Sequence, residues 1–327
     1  LFGLPFSPEE ARVVILPVPW EVTVSYRAGT AGGPAAVLEA SPQIDYWVPG
    51  IPEAWKTGIA LLPLSAAWAA RGAALRKDTA AYLGWLEKGE RGQTDVSGFL
   101  ASVDSACQAL NAWTRAEADR YLEAGKRVGI LGGDHSTPLG LIQALAGRYP
   151  DFGILQIDAH ADLRVAYEGF RYSHASIMTN ALELPQISRL VQVGVRDQSE
   201  GEVRVVGESC GRIRQFTDEC LKAERFAGRL WKDQCAEIIA ALPQSVYLSF
   251  DIDGLQPALC PSTGTPVPGG LQWEEAVFLI NQLVASGREL VGFDLCEVAP
   301  GNDPWDAIVG ARVLYRLATL AGRKPGE

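Results

Sequence analysis

The sequence predicts an α/β fold in which a mostly parallel, eight-stranded sheet is covered by helices on both faces. Short apolar runs alternate with longer helix-like segments along the whole chain, the signature of repeated β-α units. Most of those runs are continuous Val, Ile, Leu and Phe without polar alternation, as strands buried on both faces require. Length agrees: 327 residues, 47% hydrophobic and 21% charged, fit one large α/β domain over 1–327.

The candidate strands fall at 13–17, 58–62, 127–131, 152–157, 190–195, 212–216, 245–250 and 290–295. Candidate helices fall at 35–39, 100–123, 138–146, 218–241, 273–285 and 304–320. The first of these is opened by Pro34 and closed by Ser41-Pro42, following the preference for proline in the first helical turn. Residues 66–92 interrupt the alternation with an Ala-rich amphipathic stretch and a turn-prone Lys88-Gly89-Glu90-Arg91-Gly92, read as a helical excursion. Only 323–327 reads as a loose tail.

A formal net charge of −10 and a pI near 5.0 argue against non-specific nucleic-acid binding and favour cationic ligands. Cys107, Cys210, Cys220, Cys235, Cys260 and Cys296 form no Cys-x-x-Cys pair. They read as reduced thiols of a cytoplasmic protein. The apolar stretch 13–19 is too short to span a bilayer, so no membrane partner is expected.

All three histidines sit in phrases with metal-binding or proton-transfer character: His135 in Gly-Gly-Asp-His-Ser, His160 in Asp-Ala-His-Ala-Asp and His174 in Tyr-Ser-His-Ala-Ser. Asp158, His160 and Asp162 are spaced by two directly after the run 152–157. In extended backbone they would project together from the carboxyl end of a buried strand, where open α/β sheets bind ligands. Asp251 and Asp253 repeat the pattern after 246–250, and His135 follows a third strand and the Gly132-Gly133 turn. A lone aspartate at a strand end is commonly a cap or turn former, but six such residues at three strand ends make coincidence a poor account. Four carboxylates and two imidazoles suit a pair of Mn²⁺ ions better than thiolate-loving Zn²⁺.

The phrases Gly132-Gly133-Asp134-His135-Ser136, Asp158-Ala159-His160-Ala161-Asp162 and Ser249-Phe250-Asp251-Ile252-Asp253-Gly254 together resemble the three signatures of the ureohydrolase (arginase/agmatinase) family. The similarity runs from about Val14 to about Leu320, through Ser25-Tyr26-Arg27-Ala28-Gly29-Thr30 and Gly264-Thr265-Pro266. It implies a three-layer α/β/α sandwich of arginase type and a binuclear manganese centre, with nickel in some relatives. By position, His135, Asp158, Asp162 and Asp251 would hold one ion. Asp158, His160, Asp251 and Asp253 would hold the other, and a hydroxide shared by both would be the nucleophile.

The resemblance further implies hydrolysis of a guanidino group to urea and an amine, in a homo-oligomer (trimer or hexamer). Glu297 matches the guanidinium-binding glutamate and His174 the proton-shuttle histidine; Asp162 joins them in the catalytic set as well as the ligand set. The segment 163–173 is more similar to the agmatinase branch than to arginase. A small cationic guanidino substrate without an α-carboxylate is therefore expected, foremost agmatine, giving putrescine and urea. Glu168 could pair with a cationic tail, whereas Arg164 or Arg171 could pair with a carboxylate. Gln256, Ser262 and Ala175 depart from the usual phrases. Aminopropylagmatine, guanidine or guanidino acids are alternative substrates. A formiminoglutamate hydrolase and a weakly active metal-binding partner subunit, its pocket blocked by Phe170 or Trp305, are alternative roles.

Overall fold

A computed structural model describes residues 1–89 and 95–323. Its strands are β1 (Val13–Val18), β2 (Ile59–Leu61), β3 (Arg127–Gly132), β4 (Phe152–Ile157), β5 (Ile187–Val193), β6 (Ile213–Phe216), β7 (Ser245–Asp251) and β8 (Glu289–Cys296). They form one eight-stranded sheet in the order β2-β1-β3-β8-β7-β4-β5-β6. Every pairing between these strands is parallel.

The continuous apolar runs are explained by two cores. Successive side chains on a strand point to opposite faces, so Val13 and Ile15 enter one core while Val14 and Leu16 enter the other. Likewise Leu155 and Ile157 of β4 lie on the first side and Phe152 and Ile154 on the second. A polar residue on either face would be buried, so the few that occur inside these strands need partners.

The helices are α1 (Gly33–Ala40), α2 (Ala66–Glu87), α3 (Ser97–Glu123), α4 (Leu139–Ala146), α5 (Ile177–Leu182), α6 (Glu200–Glu208), α7 (Asp218–Phe226), α8 (Trp231–Ala240), α9 (Trp273–Ala285) and α10 (Trp305–Ala321). Buried residues of α1, α8, α9 and α10 fill the first core, and those of α3, α4 and α5 the second. The three-layer arrangement follows.

The helical excursion is α2, whose start is capped by Ser65 Oγ accepting the Trp68 N–H. Of the turn expected after it, residues 90–92 lie outside the described residues, as do 324–327 of the expected tail. The single helix expected over 218–241 is instead two, α7 and α8, separated by Gly228 at φ 97° and an extended Leu230. The short helices α5 and α6 were not anticipated, although Ser199 and Glu202 form a complete capping box at the start of α6, a pattern visible as Ser-x-x-Glu. Strand β5 begins at Ile187, three residues before the expected 190. The six cysteines are free thiols. Among the described residues no helix is long and apolar enough to cross a membrane.

Among the four central strands, β3-β8-β7-β4, β8 and β7 separate β3 from its successor in sequence, β4. At such a change of direction in strand order the outgoing loops diverge and leave a crevice at the carboxyl ends. His135, Asp158, Asp251 and Glu297 all lie at the carboxyl ends of these four strands.

Candidate metal centre and pocket

The segment after β3 turns at Gly133, where an added Cβ would come within 1.9 Å of the Trp20 carbonyl oxygen. Only glycine permits this approach. The turn is held by Gly133 N–H donating to Val18 O and Asp134 N–H donating to Trp20 O, both at 2.8 Å. His135 is thereby buried, with Nε2 against Ser249 Oγ at 2.8 Å. Its Nδ1 is buried and makes no hydrogen bond, although Oδ2 of Asp158 and of Asp162 lie 3.0 Å away and Oδ2 of Asp251 lies at 3.4 Å.

The route by which the carboxylates converge differs from the extended backbone expected. Strand β4 stops at Ile157, and Asp162 adopts a left-handed φ of 54°. Residues 158–162 form a loop in which His160 still bridges Asp197 in parallel pairing before the chain turns at Asp162. Asp251 is the last residue of β7, whereas Asp253 sits in a 3-10 turn, Ile252–Gly254. That turn packs so closely on the β4 end that a Cβ on Gly254 would lie 2.7 Å from Asp158 N. Asp253 Oδ1 accepts the Ala159 N–H at 3.0 Å, and its Oδ2 lies 3.1 Å from His160 Nδ1.

Two groups of side chains can each hold a metal ion: His135 with Asp158 and Asp251, and Asp158 with His160 and Asp253. They share Asp158. A third grouping, His135 with Asp294 and Cys296, uses the His135 nitrogen that Ser249 already engages. Its thiol is pushed well above the usual range by burial and then by Asp294, which disfavours the thiolate a metal needs.

The electrostatics fit a cation between these groups. Burial opposes charge on the His135 ring, but Asp158 and Asp162 outweigh it and raise its pKa. For His160, too, burial is outweighed, by Asp253 and Asp158, and its pKa is held up to about 12. Burial and then the Asp158 charge push Asp162 up to about 7, while burial, then Asp253 and Asp158, push Asp251 well upward. Crowded buried carboxylates cannot all ionise without positive charge nearby, and divalent ions would supply more of it than two imidazolium rings. The unbonded His135 nitrogen and the all-oxygen-and-nitrogen donor set both suit that role.

Glu297 follows β8 with a left-handed φ of 63°, a conformation unusual for a residue with a Cβ and held here by its contacts. Its N–H donates to Gly133 O at 2.8 Å, Thr263 Oγ1 donates to its carbonyl at 2.9 Å, and its Oε1 accepts the His135 N–H at 2.9 Å. Burial and then the neighbouring Asp134 push its carboxyl well above the ordinary range.

Above the cluster lies a pocket of about 370 Å³, lined by residues that include His160, Asp162, His174, Arg164, Asp197 and Tyr26. His174 stands on this wall, its Nδ1 3.4 Å from Ser173 Oγ and its ring edge-on to Tyr167. Burial, then the charges of His160 and His135, push its pKa down, which favours the neutral ring.

The charged residues of the 163–173 segment separate. Arg164 lines the pocket, stacked over Tyr167 at 4.6 Å and 3.8 Å from Glu202. Arg171 instead pairs with Glu183 at 2.8 Å on the exposed surface, and Glu168 is absent from the pocket wall. Phe170 is buried in the second core and Trp305 donates to Ala258 O; neither lines the pocket. Ala175 lines it, whereas Ser262 lies elsewhere, its N–H donating to Asp306 Oδ1 at 2.9 Å. Ser249 and Asp294 escaped sequence reasoning; a polar residue inside an otherwise apolar strand is the signal that marks them.

The profile of the Arginase family matches residues 11–319. The chain belongs to the arginase family. This arginase-family protein is 33% identical to the N(1)-aminopropylagmatine ureohydrolase of Thermus thermophilus over 100% of its own length and 96% of that protein's. It is 30% identical to the agmatinase of Proteus mirabilis over 99% and 92% of the two chains. The crystal structure of the agmatine ureohydrolase of Thermoplasma volcanium superposes with a TM-score of 0.71, covering 96% of this chain and 91% of that one at 24% identity, which supports the fold. Family membership makes this protein a guanidino hydrolase, acting on a linear amidine C–N bond.

Proposed function

We propose that this protein is a manganese-dependent hydrolase of a guanidinoalkylamine whose tail carries positive charge and no carboxylate, with agmatine and N(1)-aminopropylagmatine as the two candidate substrates. The observation that carries the reading is the buried, unbonded Nδ1 of His135 facing three carboxylates beneath an open pocket. The relatives named above act, by their names, on these same two amines.

In this reading His135, Asp158, Asp162 and Asp251 hold one Mn²⁺, and Asp158, His160, Asp251 and Asp253 the other. Bound there, the pair would supply a water of lowered pKa, from about 15.7 toward about 7, as nucleophile. Resonance makes the guanidinium carbon a poor electrophile, so the protein must aim the group as well as attack it. Glu297, buried and not itself on the pocket wall, would provide a carboxylate for that cation, with one oxygen fixed by the His135 N–H and the second beside Gly264. His174 presents Nε2, the nitrogen not turned to Ser173, and would relay to the departing amine a proton it first accepts from the attacking water. Asp197 lines the pocket outside the metal set of this reading, a carboxylate with which a polyamine tail can pair. Of the two arginines on the pocket wall, Arg164 is engaged by Glu202 and Tyr167 and Arg27 donates to Pro261 O.

The test is urea release by Mn²⁺-loaded protein from agmatine, N(1)-aminopropylagmatine, arginine, guanidine and guanidino acids, beside a Ni²⁺-loaded sample. Urea from the two amines, with arginine and the acids at least 100-fold poorer in kcat/KM, is expected. Preference for arginine or a guanidino acid would overturn the tail assignment, and formamide from formiminoglutamate would replace the reaction.

A further inference from the structure

Three adjacent parallel strands each carry a glutamine at the same level. Gln156 of β4 is in register with Gln192 of β5, and Gln192 with Gln215 of β6. The first two are wholly buried in runs that are otherwise apolar around them. Burying an amide costs about 1–3 kcal/mol for each polar group left unpaired, so a buried glutamine is tolerated only where its partners are supplied. Here they are. Gln215 Nε2 donates to Gln192 Oε1 at 2.8 Å, Gln192 Nε2 donates to Gln156 Oε1 at 2.6 Å, and Gln156 Nε2 donates to Asp158 Oδ2 at 2.7 Å.

The direction of this chain is fixed by chemistry. Gln192 Nε2 also donates to the Ala161 carbonyl at 2.6 Å, a group that can only accept. The NH₂ end of Gln192 must therefore face Ala161 and Gln156, and its oxygen must face Gln215. Gln156 then receives a donor on its oxygen and can turn only its NH₂ toward Asp158. At the far end Gln215 Nε2 donates to Gln198 Oε1 at 2.9 Å. The amide dipoles run head to tail with positive ends toward Asp158, and such chains strengthen each member.

We propose that Gln156, Gln192 and Gln215 are positioning residues for the metal centre: a buried amide ladder that aims the shared ligand Asp158 and anchors the 158–162 loop at Ala161. The proposal rests on the metal reading above. Asp158 is gripped on Oδ2 by Gln156 and on Oδ1 by the His160 N–H at 2.6 Å, which fixes the carboxylate plane while leaving further lone pairs for cations. Without Gln192, both Gln156 Oε1 and Ala161 O lose their donor, and Gln156 is free to turn its oxygen to Asp158, where two acceptors repel.

The test is Mn²⁺ titration calorimetry on Gln156→Met, Gln192→Met and Gln215→Met, with metal-free melting temperatures alongside. Gln234→Met is the control, since Gln234 is a buried glutamine on α8 that donates to Leu221 O and Glu224, away from the site. Loss of such an outer partner typically weakens metal binding about 10–100-fold. That loss is expected for Gln156→Met and Gln192→Met, with a smaller one for Gln215→Met and none for Gln234→Met. Saturating Mn²⁺ should restore most of kcat with KM unchanged. Affinities for both inner variants within twofold of wild type, or weakening that tracks melting temperature and includes Gln234→Met, would overturn the ladder. Should the inner variants not fold, Gln215→Met against Gln234→Met decides by the same criterion. Wild-type protein that binds no divalent cation would overturn the metal reading itself, and the ladder with it.

Discussion

Glu297 Oε1 accepts the backbone N–H of His135 at 2.9 Å. The carboxylate proposed to hold the guanidinium group is thereby tied to the backbone of His135, a proposed metal ligand, and a crude deletion at 297 would disturb both. Glu297→Gln keeps the acceptor oxygen but removes the charge. It should bind Mn²⁺ with wild-type stoichiometry while kcat/KM for the guanidino substrate falls about 100-fold or more, the scale of losing one charged contact to the reacting group. Metal analysis beside steady-state urea kinetics checks it; a variant that loses the metal would assign Glu297 a structural task instead.

Asp251→Ala removes a carboxylate that approaches His135 Nδ1 at 3.4 Å and whose Oδ1 accepts the Asp253 N–H at 2.9 Å. Both halves of the cluster lose support at once. Expected are loss of bound manganese and loss of activity together, with the metal-free protein at least as stable as wild type because crowding among buried carboxylates is relieved. Melting curves with and without Mn²⁺ measure this: the metal-dependent upward shift should vanish in the variant.

Metal affinity should rise with pH. The His135 and His160 pKa values are raised by their carboxylate neighbours despite burial, His160 up to about 12, and Asp162 is pushed up to about 7. Protons on these groups compete with Mn²⁺ and must leave when it binds. Between pH 6 and pH 9 the dissociation constant should fall, with proton release visible as a buffer-dependent calorimetric enthalpy. The stability of the metal-free protein should run the opposite way. An imidazole with a raised folded pKa contributes stability fully present below its unfolded value of about 6.5, and the His160 contribution is lost as pH climbs toward about 12.

His174→Ala should leave manganese binding unchanged, because the ring lies on the pocket wall and in neither metal-holding group. Turnover should drop about 100-fold, within the range for removing a general acid-base group, and added imidazole should restore part of it. An unaltered pH-rate profile would remove His174 from proton transfer.

Much of this was legible in the sequence because the physics is local. The runs around Ile15, Leu155 and Leu248 had to be strands covered on both sides, and they are. His135, Asp158, His160, Asp162, Asp251 and Asp253 could be grouped because each follows such a run. Their spacing implies convergence from extended backbone, whereas the left-handed turn at Asp162 and the 3-10 turn at Asp253 contribute to it. Those conformations are set by tertiary contacts such as Gly254 against Asp158, which no local pattern announces. The break between α7 and α8 was hidden because helical periodicity continues on either side of Gly228. The support of the site was hidden too: Ser249, Asp294 and the three glutamines matter through strand neighbours distant in sequence.

The most direct measurement is an anomalous difference map at the manganese edge from crystals grown with Mn²⁺. Two peaks per chain are predicted, one against His135 Nδ1 and one against His160 Nδ1, both within bonding distance of Asp158 and Asp251. A single peak, or peaks away from these residues, would contradict the two-ion centre on which the proposed chemistry stands.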